Sequence, residues 1–186
     1  MQALIDNKSV KAIFFARGGY GSSQLLNKLN YSKLEKHPKW FVGYSDITAF
    51  HIALNNLGFE TIQGPMMKGF NKDSASVAML HDALFGKDYN EISIEANANC
   101  VKGEAEGRLV GGNLSLIYSE EGSAYDLNAT NSILFIEEII QKYFGDLEIP
   151  IVYGISSGHD TANWPLYLGA KVSIKVTDKK ATIQFK

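Results

Sequence analysis

The sequence is short of several features that would assign a protein at once. One cysteine, Cys100, stands among 186 residues, so no internal disulfide can form and no cysteine cluster can hold zinc. A reducing compartment, the cytoplasm, is the expected location. Basic and acidic residues nearly cancel, 18 against 20, and the pI is about 6.1. That leaves no large basic field to attract phosphate backbones or acidic lipid, so neither nucleic acid nor a membrane is expected as a partner. The opening MQALIDNKSVK lacks the apolar core of a signal peptide, and no apolar run approaches the length of a membrane span. The four histidines, His37, His51, His81 and His159, have no metal-ligand spacing, and no metal or organic cofactor is expected. Arginine is nearly absent too, only Arg17 and Arg108.

What is present reads as alternating strands and helices followed by a strand-rich half. KAIFFA, WFVGY and ETIQGP are short apolar runs that suit buried strands. Between them, Ser22 or Ser23 can cap a short helix carrying Leu25, Leu26 and Leu29, and DITAFHIALNNLG puts Ile47, Phe50, Leu54 and Leu57 on one helical stripe with Gly58 at its end. This pattern predicts a parallel sheet covered by helices over residues 1–72. NKDSAS, from about Asn71, reads as a linker into the helix SVAMLHDALFG, which ends on Gly86, and 73–90 is taken as the linker helix between the two domains. From 91 to 186, ISIEA, GEAEGRLVGG, SILFIEE, IPIVYG, AKVSIKV and ATIQF are strand-like, NLSLIYS starts a helix, and the last two strands form a hairpin across Thr-Asp-Lys-Lys. The expected fold class is α/β: a Rossmann-like parallel-sheet domain followed by a β-rich C-terminal domain.

Four places can carry chemistry. In GYSDITAF, Ser45 stands between a strand and a helix, where it either caps the helix or is a nucleophile displayed at the carboxyl edge of the sheet with the Asp46 amide behind it. The Gly-x-Ser-x-Gly elbow is half met, because Ile47 replaces the second glycine. ARGGYGSS matches neither G-x-G-x-x-G nor the Walker spacing, which disfavours a nucleotide-binding module; its bare backbone still suits close approach to a substrate. Arg17 lies in this loop, and a surface salt bridge remains the plain reading for it and for Arg108. In SILFIEEI an apolar strand ends in Glu137 and Glu138, whose side chains alternate to opposite faces. In GISSGHDTANWPL, His159 follows a turn and can shuttle protons, whereas His37, His51 and His81 sit in or beside helices or charged loops. Ser45, Glu137 and His159 together supply the three groups of a triad.

The segments ARGGYGS, PKWFVGYSDITAFH, QGPM, GRLVGGNLSL, ILFIEEI and IPIVYGISSGH, in this order, resemble the LD-carboxypeptidases, the serine peptidase family that also contains the microcin C self-immunity proteins. The similarity covers about residues 10–67, 103–143 and 149–185. It implies a cytoplasmic homodimeric enzyme that removes the terminal D-alanine from murein tetrapeptides in peptidoglycan recycling. On this resemblance Ser45 is the nucleophile, Glu137 and His159 complete the triad, and Glu138 is a flanking residue. The oxyanion hole would be the Asp46 amide with the Gly19 amide, and Arg17 or Arg108 would receive the substrate carboxylate. Family members are longer, with a strand and helix before the stretch matching residues 1–10 and a helix and strand where this chain has only Phe-Gly-Asp-Leu-Glu after Tyr143. A catalytically inactive peptide-binding homologue and a microcin-type acyl-nucleotide hydrolase are the alternatives within this resemblance.

Overall fold

The computed structural model describes residues 1–86, 89–137 and 149–186. Three short parallel strands, β1 (Ala12–Phe14), β2 (Trp40–Gly43) and β3 (Thr61–Gln63), form the first sheet in the order of the sequence. The expected strand-helix alternation holds, because each run is apolar on both faces and bounded by residues that break strands. A fourth strand, β7 (Leu166–Leu168), closes this sheet antiparallel to β3 and comes from the far end of the chain. The line between the expected domains 1–72 and 91–186 therefore does not separate the two sheets.

The second sheet has the order β4 (Glu91–Glu95), β9 (Lys180–Phe185), β8 (Lys171–Val176), β5 (Gly103–Gly112), β6 (Ser132–Ile136). Strands β8 and β9 form the predicted hairpin, closed by the Thr177 amide donating to Lys180 O at 2.9 Å. Alternate residues of β8 are buried while Lys171 and Lys175 pair with Glu106 and Glu104 on the solvent side, the period-two pattern of a sheet with one wet face.

IPIVYG does not become a full strand: only Ile151 pairs, in a single bridge with Val101. Pro150 has no amide to give, and its ring packs against Gly103, where a Cβ would lie 2.7 Å from it. Helix α1 (Gln2–Asp6) was not expected; it is anchored by the fully buried Ile5. Helix α2 (Ser22–Leu26) starts at Ser22, with Gly21 and not a serine in the cap position. Helix α4 (Ser74–Leu84) is capped by Asp73, which accepts from the amides of Ala75 and Ser76, so half of the expected linker is helix start. Lys87, Asp88 and residues 138–148, which include Glu138 and the Phe-Gly-Asp-Leu-Glu stretch, lie outside the described residues. Helix α5 (Leu114–Glu120) begins at the expected Asn-Leu-Ser-Leu segment.

The element that organises the molecule is helix α3 (Thr48–Asn56). Eight of its nine residues are buried, because it packs on the first sheet through β2 and β3 and on the second through β5. A helix enclosed on all sides has no polar face to spare, so its Thr48, His51 and Asn55 must find partners inside the protein. They do. Thr48 Oγ1 accepts from the Asn113 amide at 2.9 Å, and Asn55 Nδ2 donates to the carbonyls of Phe59 and Leu168.

Candidate active site

Strand β2 ends at Gly43, the chain turns sharply, and a single 3-10 turn, Ser45–Ile47, leads into α3. Ser45 has φ 60, a left-handed conformation that side chains rarely adopt. It is not a helix cap. Tyr44 and Ile47 occupy the cap positions and no side chain makes a capping bond at either. The strain at Ser45 thus has no local compensation from its hydroxyl. Ile47, the residue that departs from the two-glycine elbow, is accommodated by Gly43: a Cβ there would come within 2.8 Å of Ile47 Cγ1. Gly43→Ala is expected to destabilise the fold by about 1–3 kcal/mol through overpacking, read as a lower urea midpoint with an unchanged slope.

The turn is braced from beneath by His51. Its Nε2–H donates to Gly43 O at 2.9 Å, and the Thr61 hydroxyl donates to its Nδ1 at 2.9 Å. A carbonyl can only accept, so this pairing fixes the neutral tautomer. Complete burial pulls the His51 pKa down to about 4, with the Gly43 hydrogen bond opposing in part. The unfolded imidazole takes up a proton near pH 6.5 and the folded one only near pH 4. The stabilisation held by neutral His51 is therefore intact above about 6.5 and disappears as pH falls through 4, a loss of about 3 kcal/mol. Urea unfolding from pH 7 to pH 4.5 should show that slope, and a His51→Gln variant should flatten it.

Glu137 follows the last residue of β6. Its backbone amide donates to Gly112 O at 2.9 Å, which continues the β5–β6 ladder by one bond. The side chain is fully buried. One carboxylate oxygen, Oε2, accepts the Ser45 backbone amide at 3.1 Å, and the other, Oε1, lies 2.6 Å from His159 Nδ1. A single carboxylate thus touches two segments of the candidate triad across 92 positions of chain. The imidazole is more than half exposed, at 55%. Tyr44 stands edge-on to the His159 ring, with centroids 5.2 Å apart. Burial first, and the Glu137 charge second, push its phenol pKa up.

His159 belongs to a loop without regular structure, held by bonds the sequence did not reveal. The Gly158 amide donates to Asn163 Oδ1 at 3.0 Å, the Asn163 amide donates to Ser76 Oγ at 2.9 Å, and Ser76 Oγ–H donates to the Asp73 carboxylate at 2.5 Å. The histidine loop is thereby fastened to the first turn of α4. Gly158 also has to be glycine, since a Cβ would meet Glu137 Cγ at 2.7 Å. Asn163, four residues beyond His159 and 6% exposed, carried no sequence signal beyond an amide side chain in a polar loop.

The remaining expected site residues divide. Gly18, not Gly19, lies against the elbow: a Cβ on Gly18 would be 3.4 Å from Ser45 Cβ and 3.5 Å from its Oγ, whereas one on Gly19 would meet nothing. Arg17 is exposed in the same loop and makes no hydrogen bond or ion pair among the described residues. Arg108 is not brought to this place. Its guanidinium donates to the carbonyls of Asn55 and Asn128 at 3.0 and 3.1 Å, a favourable position for a cation at the C-terminal end of α3. With a rise of 1.5 Å per residue, that end is roughly 12 Å from the Ser45 turn. Arg108 is thus a structural tie, which corrects its expected part in binding the substrate carboxylate.

Fold and site together define a mixed α/β protein with a strained serine at the carboxyl edge of a parallel sheet, facing a glutamate at the end of a strand of the neighbouring sheet and a histidine on a loop. Residues 1–64 match the LD-carboxypeptidase N-terminal domain, and residues 106–142 and 136–174 match the C-terminal domain of the same family. The chain belongs to the LD-carboxypeptidase family. It is 36% identical over 149 residues to a probable murein peptide carboxypeptidase of Bacillus subtilis, covering 76% of this chain and 46% of that protein. It is also 30% identical over 152 residues to the murein tetrapeptide carboxypeptidase of Pseudomonas aeruginosa, covering 75% and 49%. The chain spans about half the length of these curated relatives. Among solved structures, an MccF-like protein from Bacillus anthracis superposes with a TM-score of 0.84 at 22% identity over all of this chain and 79% of that one. A muramoyltetrapeptide carboxypeptidase from Oxalobacter formigenes gives 0.81 at 21% identity, covering 98% and 80%. At that identity the structures establish the shared fold.

Proposed function

We propose that this chain carries the machinery of a serine-type LD-carboxypeptidase that releases the terminal D-alanine from murein tetrapeptides, a cytoplasmic, homodimeric enzyme of peptidoglycan recycling. The observation that carries the reading is the Glu137 carboxylate held between the Ser45 amide and the His159 ring, next to a serine in a strained turn. The names of the relatives, murein peptide and murein tetrapeptide carboxypeptidase, support the substrate class.

An ionised carboxylate can only accept, so a Glu137 contact at Nδ1 favours the imidazole tautomer with its proton there and leaves the Nε2 lone pair to take the Ser45 hydroxyl proton. Ser45 Oγ then attacks the carbonyl that precedes D-alanine. The oxyanion is received by the Asp46 amide and an amide of the Gly18–Gly19 pair, each such donor being worth about 3–4 kcal/mol of barrier. His159 passes its proton to the leaving amine, and water, deprotonated by the same nitrogen, releases the acyl group from Ser45. Arg17, the exposed guanidinium in the glycine-rich loop, is the candidate for the terminal carboxylate of the substrate.

The test is D-alanine release from L-Ala-D-Glu-diaminopimelate-D-Ala by the purified chain, with a tetrapeptide ending in L-alanine as control. Release from the first and not the second is the expected result. Binding of the tetrapeptide without any release would replace this reading with that of a peptide-binding homologue.

A further inference from the structure

The glycine-rich loop between β1 and α2 has almost nothing of its own to hold it in place. It contains Gly18, Gly19 and Gly21, the last at φ 128, and its two large side chains, Arg17 and Tyr20, are both exposed, Tyr20 completely. A run of glycines has more backbone freedom to lose than any other sequence, so amides on such a loop keep a fixed direction only if both ends are anchored. The entry to the loop is fixed by backbone bonds from Met67 and Lys68 to the carbonyls of Phe15 and Ala16. Its exit is fixed by one side chain from the elbow. Asp46 Oδ2 accepts the Ser22 hydroxyl at 2.8 Å and the Ser22 amide at 3.3 Å, with both residues only 7% exposed. Since Gly21 supplies no cap to α2, the carboxylate from the neighbouring segment takes the place of one.

We propose that the Asp46 carboxylate is a positioning group that clamps the glycine-rich loop, through Ser22, against the Ser45 turn and so sets the distance between the two halves of the oxyanion site. Asp46 then acts twice. In the oxyanion reading its backbone amide serves the reacting centre, while its side chain governs the opposite wall, where a Cβ on Gly18 would come into van der Waals contact with Ser45. The dependence is geometric. Oxyanion donors contribute only when they sit at hydrogen-bond distance from the developing charge, and a loop released at one end no longer holds them there. Arg17 follows directly on the loop entry, which the bonds from Met67 and Lys68 keep fixed, so substrate binding is largely retained and the effect falls on kcat much more than on KM.

This inference rests on the serine-hydrolase reading for its kinetic arm and stands on its own for its structural arm. In the structural arm, hydrogen exchange is followed in the segment 16–23 and in β2 of the folded chain. Asp46→Ala should quicken exchange in 16–23 about tenfold while β2 stays protected. In the kinetic arm, Asp46→Ala should lower kcat for D-alanine release about 100-fold with KM within about threefold, and Asp46→Asn, which keeps an accepting oxygen for Ser22, should recover most of that loss. Ser22→Ala removes only the shorter bond and should give a smaller loss of the same kind, which keeps the test open if Asp46→Ala does not fold.

Unchanged loop exchange in Asp46→Ala and Ser22→Ala overturns the clamp. So does a loss in kcat that Asp46→Asn does not relieve, or an effect confined to KM, which would make the carboxylate a substrate contact. If the unmodified chain releases no D-alanine, the functional reading fails, and the exchange measurement still decides whether the clamp exists.

Discussion

Ser45→Ala is expected to abolish D-alanine release, with a loss in kcat of about 10⁴-fold or more, while tetrapeptide binding persists. The stronger form of this prediction uses the backbone. Ser45 has a positive φ that glycine adopts freely and alanine does not. Both substitutions remove the hydroxyl, but only glycine also removes the strain. Ser45→Gly should therefore be more stable than Ser45→Ala by about 1 kcal/mol, or roughly 2–4 °C in Tm for a chain of this size. Calorimetry on the two inactive variants checks it. Equal stabilities would mean that the turn relaxes once the serine is gone. Persisting turnover in either variant would remove Ser45 from the mechanism altogether.

Glu137→Gln is the second large effect. The amide nearly matches the carboxylate in shape, so Oε can still receive the Ser45 amide and the buried site stays filled. The charge facing Nδ1 is lost, and the amide NH2 can donate to that nitrogen, which turns the imidazole to the tautomer with its proton on Nε2. That proton blocks the nitrogen needed as base, and kcat should fall about 10³–10⁴-fold with little change in melting temperature. A kcat within tenfold of the unmodified chain would show that Glu137 serves only to hold the Ser45 turn.

The two predictions differ in how far the sequence alone could have led to them. Ser45 was visible because a strand-like run, a Gly-x-Ser and a helical stripe follow one another within residues 40–57. Its role as cap or nucleophile was not, since that depends on a φ angle. The stripe Ile47, Phe50, Leu54, Leu57 located α3 but misjudged it in two ways. Leu57 is 55% exposed just past the last turn, whereas His51 and Asn55, off the stripe, are buried. A one-sided periodicity describes a helix against one layer, and α3 lies between two.

Ser45, Glu137 and His159 could be nominated from their residue types, and Glu137 preferred to Glu138 from resemblance, but their pairing could not be read, because contacts across 92 and 22 positions are set by tertiary packing and not by local pattern. Asn163 and the Asp46 carboxylate were missed for the same reason. Each looks like an ordinary polar residue until its partner, Ser76 or Ser22, is brought beside it by tertiary packing. Arg108 was misplaced because its scarcity drew attention, whereas its position near the start of the β5–β6 pairing puts it at the wrong end of α3.

Strand β7 gives the chain a property that neither half has alone. Only Gly169 and Ala170 separate its last residue in one sheet from the first residue of β8 in the other, and Gly169 is itself hydrogen-bonded to Leu109. The return works like a stitch through two layers of cloth. A piece cut to end before residue 166 would leave β3 with a raw margin of unpaired amides and carbonyls, so dissecting this molecule into halves is expected to yield sticky, aggregating fragments.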